Sequence, residues 1–404
     1  MTRLLRDTME EWAGEARVPH DLADRALRGR VRRPAGPPVL LAGLAAGLVA
    51  VLIAGVTFVL SGQRQPAVTV RPATGITLPA RPSPAPTDVR ADVEHSPPAR
   101  LVAAGRLAMS AYYTTSEEPA GPNLTRYVRT WSLYDPRTGG YERTSWGWLD
   151  VAPGLQVAAV LERDLPARRI GVLDLNTRRI LAWFDVEHPV AGLSWSPDGR
   201  KVLATAYSGF PDTRGRDPRT RNETLPPSTR TGYYVVDVEA GTADYHELPA
   251  RTSGDEPANM NGRQDLGWSL DGTAIWAPTD TQPDRVWYTL DGAPREAPQG
   301  QVYVGYSAES ALSPDGRLVL GPDGLPTEIT DRATGAVAGR QRVLQLHAWA
   351  DDDNVLALGC AGSCGDEFDN GLVLVSVDGE RMTQLAANRD SNRDGAWRWI
   401  LTPR

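Results

Sequence analysis

After residue 190 one short pattern recurs four times: an apolar stretch, a tight polar turn and a second apolar stretch. The clearest copy is 193–204, where Trp195, Ser196, Pro197, Asp198, Gly199 and Arg200 separate two apolar runs. Residues 267–276 repeat it around Trp268, Ser269, Asp271 and Gly272, and 311–320 around Ser313, Pro314, Asp315 and Gly316. A degraded copy spans 349–356, around Trp349 and Asp352. Asp-Gly marks a hairpin turn, because glycine accepts positive φ and aspartate tolerates turn geometry. A chain punctuated this way is confined to short antiparallel strands. Further strand pairs surround these copies, such as 170–175 with 180–184 and 233–237 with 243–248, and their turns are polar as well.

Four strands per unit, repeated along 100–404, predict an all-β fold: a β-propeller of about six four-stranded blades. The blades are expected near 100–145, 146–190, 191–264, 265–304, 305–344 and 345–390. The first has the weakest copy, near Gly105 and Arg106, and 396–401 reads as a closing strand that pairs with it. The run Trp195, Ser196, Pro197, Asp198, Gly199, Arg200 resembles the repeat of TolB-type and WD-repeat-like propellers, and the resemblance covers about 100–404. It implies a fold and leaves function open, because such propellers serve as binding platforms and as parts of hydrolases alike. Trp195, Trp268 and Trp349, three residues before each turn, are expected to pack between blades.

Residues 39–60 carry no charge and one polar residue, Thr57. At 1.5 Å per residue the run reaches about 33 Å, enough to cross a hydrocarbon core as a single transmembrane α-helix. It is too long for a signal peptide's apolar region, and Ser61, Gly62, Gln63 and Arg64 offer no small-x-small cleavage site. Arg25, Arg28, Arg30, Arg32 and Arg33 crowd its N-terminal side, which puts 1–38 in the cytoplasm and the remainder outside the cell membrane. Residues 1–38 read as an amphipathic segment resting on the inner leaflet, or as a docking helix for a cytoplasmic partner. Residues 61–99 are rich in proline and read as an extracytoplasmic stalk. With Lys201 the sole lysine among many arginines, the composition suggests a GC-rich bacterial genome. The layout resembles that of membrane-anchored bacterial WD-repeat-like surface proteins.

In a four-stranded blade, the first-to-second and third-to-fourth turns share one face. The second-to-third links and the links between blades share the other. The long insertions at 114–125, 208–230, 250–264 and 359–371 all fall on that second face, where binding is expected. The formal charge of −7 argues against nucleic acid. Against that background Arg214, Arg216, Arg219 and Arg221 form a local basic patch suited to an anionic polymer or an envelope protein. Cys360 and Cys364, the only cysteines, read as a loop-pinning disulfide outside the cell. Asp390, Asn392 and Asp394 match the first half of a calcium loop, but Arg398 and Leu401 stand where later ligands belong. Calcium is thus the one cofactor with any sequence support. No nucleophile elbow, metalloprotease helix or sialidase Asp box is present. The leading expectation is a binding or scaffolding module. Beside it stand a transmembrane sensor, anti-sigma-like, that uses 1–38, and a propeller hydrolase or lyase.

Overall fold

The computed structural model describes residues 76–220, 222–224, 226–250, 263–279, 285–298, 301, 311–321, 327–362, 369–389 and 396–404. The chain divides into two units, Met1–Pro66 and Ala67–Arg404. The expected cytoplasmic segment and transmembrane helix lie outside the described residues. Among those described, no helix is long and apolar enough to cross a membrane. The described regular structure is all strand, arranged in several antiparallel sheets.

One four-strand meander repeats. It is clearest in Gln345–Trp349, Asn354–Gly359, Gly371–Ser376 and Met382–Gln384, each paired with the next. Gly267–Trp268, Ile275–Pro278, Arg285–Tyr288 and Pro294–Arg295 form another. Between them, Leu318–Leu320, Thr327–Asp331 and Val337–Gln341 form a third, whose first strand is reduced to the bridge between Leu312 and Val319. Two meanders run together through the long strand Ile180–Trp195, which closes one sheet with its first half and opens the next with its second. The first of these two begins with Trp148–Val151; the second ends with Thr242–Glu247.

The N-terminal unit is built differently from the expected 100–145. Its first strand is the C-terminal segment Trp397–Pro403, which pairs with Leu107–Gly121 from Leu107 opposite Pro403 to Thr114 opposite Trp397. Leu124–Asp135 and Gly140–Arg143 complete it. Residues 103–104 make only a short hairpin onto Leu107 and Ala108. Its turn needs glycine: Gly105 has φ +55°, and a Cβ there would lie 2.1 Å from the Ala350 carbonyl oxygen. The two ends of the folded body are therefore tied into one sheet, and the closing strand runs two residues past the expected 396–401.

The repeated turns share one wiring. The Ser196, Ser269 and Ser313 hydroxyls donate to Asp198, Asp271 and Asp315 at 2.5, 2.6 and 2.5 Å. Each hydroxyl also accepts the N–H that opens the second strand, from Lys201, Ala274 or Leu318, at 2.8–2.9 Å. Each aspartate then accepts the N–H of the residue after the glycine, Arg200, Thr273 or Arg317. The glycines at the corner have φ between +65° and +73°. Ser376, Asp378 and Gly379 use the same wiring at a third-to-fourth turn, where the sequence pattern did not draw attention to it.

The tryptophans join successive units. Trp195 Nε1 donates to the Asp150 carbonyl at 3.1 Å, Trp268 Nε1 to that of Ser194 at 3.0 Å, and Trp349 Nε1 to that of Ala311 at 3.3 Å. Each bond runs from the first strand of one unit to that of the unit before. The rings are buried, so each also fills the seam its N–H crosses.

Residues 76–99, expected as part of the stalk, lie against this body. Ile76 is buried with Ala152 and Val238. Arg81 covers Gly154 and Gly199, and its guanidinium donates to the Asp198 carbonyl. Asp92 takes the N–H groups of Ala99 and Arg100 at 2.8 and 2.9 Å, while its own N–H bonds the Leu385 carbonyl.

Trp268→Phe keeps most of the apolar contact and leaves the Ser194 carbonyl without its donor. A loss of about 1–3 kcal/mol is expected, read from denaturant unfolding of the full chain; an unchanged midpoint and slope would contradict the joining role.

Candidate functional site

The insertions meet across a unit. Beyond Thr114 the hairpin of Leu107–Gly121 and Leu124–Asp135 outgrows its C-terminal partner strand and pairs only with itself up to Gly121 opposite Leu124. Left alone, it would expose an unpaired edge. The edge is taken by Thr213–Arg216, from the 208–230 insertion, with Thr213 opposite Arg126 and Gly215 opposite Leu124. Glu223–Thr224 adds one more strand. Second-to-third links of the first and third units thus form one sheet, passing by the second unit.

This sheet is tied down by buried charge. The Asp212 carboxylate receives Arg129 Nη1 at 2.5 Å and Nη2 at 3.2 Å, together with Arg263 Nε at 3.0 Å. Arg263 also donates to Asp265 at 2.7 Å and to the Ala191 carbonyl at 3.0 Å. Both guanidiniums lie over Trp148, at 3.8 Å for Arg263 and 4.8 Å for Arg129, where the ring's negative face favours them. Burial pushes the Asp212 carboxyl upward, but the charges of Arg263 and Arg129 outweigh it and hold the group below its ordinary value. Burial also opposes the Arg263 charge, and Asp265 and Asp212 overcome it and raise the group further. The Tyr207 hydroxyl, raised by burial and by Asp265, donates to Asp265 at 2.9 Å and stays protonated.

Beside this network is a cavity of about 390 Å³ whose walls include Arg129, Arg143, Arg163, Trp146, Phe210 and Asp212. Its lining comes from the link between the first two units, the second-to-third link of the second unit and the two joined insertions, all on the insertion-bearing face. Asp212 is already engaged by two guanidiniums. Arg143 and Arg163 are exposed, and neither has an ion-pair or side-chain hydrogen-bond partner among the described residues. The pocket therefore offers cationic groups and an indole wall, which suits an anion with a flat or apolar portion.

A larger cavity, about 730 Å³, lies where the first strands end on the turn-bearing face, among Asp150, Trp195, Trp268, Leu312 and Thr402. Much of its polar lining is occupied by the fold: Ser269 and Ser313 wire the turns, and the Trp195 and Trp268 indoles bond carbonyls.

Of the arginines singled out in the sequence, Arg214, Arg216 and Arg219 do not line the basic pocket. Arg214 pairs with Glu223 and lies over Tyr127 at 5.6 Å. Arg216 and Arg219 are exposed; Arg216 donates its N–H to the Asn123 carbonyl, and the Arg219 N–H bonds Asp217. Arg221 lies outside the described residues. Cys360 is disulfide-bonded, and its expected partner Cys364 lies outside the described residues, as do Asp390, Asn392 and Asp394. Among the described residues no three His, Cys, Asp or Glu side chains are grouped to hold a metal ion. Arg143 and Arg163 escaped sequence reasoning because an isolated arginine in a short link has no pattern.

No protein-family model and no curated protein matches the chain. Among solved structures, a chain of the Kuenenia stuttgartiensis hydrazine synthase aligns at 12% identity and TM-score 0.28, covering 56% of this chain and 62% of that one, less than two thirds of its length. A chain of the mitotic checkpoint complex aligns at 13% and 0.35, covering 76% and 85%. Oligogalacturonate lyase in complex with manganese aligns at 11% and 0.36, covering 71% and 86%. At these scores the likenesses carry no argument about activity.

Asp212→Asn leaves two guanidiniums facing a neutral amide. A loss of about 3–5 kcal/mol is expected, the usual cost of breaking a buried pair from one side. The Asp212 carboxyl is depressed in the folded chain, so its contribution is complete above the unfolded value near 3.9 and disappears as pH falls through the lower folded value. The stability difference between the two proteins, measured by denaturant unfolding, should stay flat from neutral pH to about 5 and shrink only in stronger acid; a difference that vanishes near neutrality would contradict the network.

Proposed function

We propose that the chain is a membrane-anchored, six-bladed β-propeller whose insertion-bearing face captures an anionic group of an envelope polymer or protein, with Arg143 and Arg163 as its contacts. The propeller reading rests on the repeated four-strand meander, on three indole bonds that each run from a first strand to the one before, and on the C-terminal strand that completes the N-terminal unit. The likeness of 195–200 to TolB-type and WD-repeat-like repeats points the same way. The anchor rests on the uncharged run 39–60 and the arginines before it.

The observation that carries the binding reading is the pair of exposed guanidiniums beside the Trp146 indole that have no counter-ion among the described residues. Arginines with carboxylate partners, such as Arg169 with Glu162 or Arg178 with Glu142 elsewhere on the body, are neutralised by their own fold. Arg143 and Arg163 have their hydrogen-bonding edges open to a ligand. In a chain of charge −7, long-range attraction for a polyanion is weak, so recognition must be local and contact-driven.

Full-length protein in nanodiscs, titrated with polyglutamate and polyphosphate, tests this. The double change Arg143→Ser, Arg163→Ser removes two charge-assisted contacts, each worth about 1.5–3 kcal/mol. Affinity should therefore fall at least about a hundredfold, and binding should weaken with added salt. Arg200→Ser and Arg317→Ser, beside turns of the opposite face, should leave it unchanged. Loss of binding in the second pair with none in the first would overturn the proposal. The anchor is tested separately: protease added to intact spheroplasts should digest 67–404 and spare the N-terminus, whereas release of a soluble form starting near residue 62 would contradict it.

A further inference from the structure

The basic pocket also holds an interrupted strand edge. Strand Leu124–Asp135 has one edge on Leu107–Gly121. Its other edge is shared by two short partners: Thr213–Arg216 covers Leu124 to Arg126, and Gly140–Arg143 covers Ser132 to Asp135. Between them no described strand pairs with it. The Tyr127 N–H still reaches the Asp212 carbonyl at 2.9 Å, and the Trp131 carbonyl still takes the Thr144 N–H at 2.8 Å. Both bonds leave on the side away from Leu107–Gly121. Main-chain groups of alternate residues point the same way in a strand, so Arg129 presents its N–H and C=O on that side too. Neither has a backbone partner among the described residues, nor does the Tyr127 C=O. After Thr144 the link turns away. The Gly147 N–H goes to the Leu161 carbonyl, so close an approach that a Cβ there would lie 2.5 Å from the Glu162 carbonyl oxygen. The opening so left is the cavity of about 390 Å³, and Tyr127 to Thr130 form one of its walls.

An open edge is a template for another strand, and this one lies inside a cavity with room for it. From Tyr127 to Trp131 the edge runs about 14 Å at about 3.4 Å per residue, enough for about three guest residues. Phosphate or carboxylate groups alone can satisfy Arg143 and Arg163, but they carry no N–H for the Tyr127 and Arg129 carbonyls. An amide chain supplies N–H and C=O at the strand's own spacing. Resting on the anion-binding reading of this pocket, we infer that its ligand is an extended acidic peptide that adds as a short antiparallel strand against residues 127–131. The guest residue opposite Arg129 donates its N–H to the Arg129 C=O and accepts the Arg129 N–H. The guest's acidic side chains meet Arg143 and Arg163, and Trp146 and Phe210 wall its apolar ones. The Arg129 side chain is held by Asp212 at 2.5 and 3.2 Å, so the edge is fixed before the guest arrives. Main-chain pairing supplies affinity, and the arginines supply the preference for an acidic sequence.

The test uses the full chain in nanodiscs of zwitterionic lipid and a capped pentapeptide, with valine at positions 1, 3 and 5 and glutamate at positions 2 and 4. Two further versions carry backbone N-methyl groups, one on residue 3 and the other on residues 2 and 4. Only one of these sets of amides faces the strand edge. One version should therefore bind at least about tenfold more weakly than the parent peptide, and the other should keep its affinity. Amide exchange at Arg129 should slow at least about tenfold under the parent peptide, and polyphosphate should occupy the arginines without this effect. Equal affinities of the two methylated peptides, or unchanged Arg129 exchange under saturating peptide, would overturn strand addition and leave anion capture by Arg143 and Arg163 standing. Arg129 exchange already slow in the free protein, from a second copy or another part of the chain in the gap, would overturn it too. Peptide and polyphosphate binding that both ignore Arg143→Ser, Arg163→Ser would overturn the two proposals together.

Discussion

The indole N–H bonds from Trp195, Trp268 and Trp349 hold the architecture together. A four-stranded meander buries one face poorly by itself, so each unit must be joined to its neighbour by contacts that are both apolar and directional. An indole supplies the two at once: a large buried ring, and one N–H that must find an acceptor when buried. The acceptor in each case is a backbone carbonyl of the preceding first strand, which sets the register between units as well as their spacing. The serine–aspartate wiring of the turns fixes where each second strand begins. Closure comes last, from Trp397–Pro403, which makes the N-terminal sheet depend on the opposite end of the chain.

On that frame the insertions do something a set of separate loops would not. The hairpin ending at Gly121 and the 208–230 segment complete each other's edges, and Asp212 ties the 208–230 segment to Arg129 of the hairpin and to Arg263. Buried charge of this kind adds little net stability but strongly penalises any arrangement in which one partner is missing. It therefore specifies one position for the sheet. The basic pocket borders that sheet, so Arg143 and Arg163 are presented beside a rigid wall.

The sequence made the repeat legible because its information is local. At 195–199 and 268–272 the tryptophan, the serine, the aspartate and the glycine are all within one short run, and the structure uses each of them. The closing strand was legible, since 396–401 was expected to pair with the first unit and does; the turn at Gly105, which resembles a repeat turn in sequence, makes only a two-residue hairpin instead of opening that unit. The long insertions were legible as insertions, and their face followed from strand counting. What they do was hidden: Arg129 and Asp212 are 83 residues apart, and Asp212 and Arg263 are 51 apart. The clustered arginines 214–221 looked more significant than Arg143 or Arg163, yet Arg214 is neutralised by Glu223 and the isolated ones remain open. Charge density along the chain is a poor guide to charge available at a surface.

The central claim is that the joined insertion sheet and the pocket beside it form the recognition surface, with the opposite face serving structure. Hydrogen–deuterium exchange of the full-length protein, with and without a saturating polyanion, addresses this directly because it reports both faces in one experiment. The account predicts slower exchange confined to 143–147, 163–165 and 210–216, with the turns at 196–200 and 313–317 unchanged. Protection at those turns, with none around Arg143 and Arg163, would contradict it.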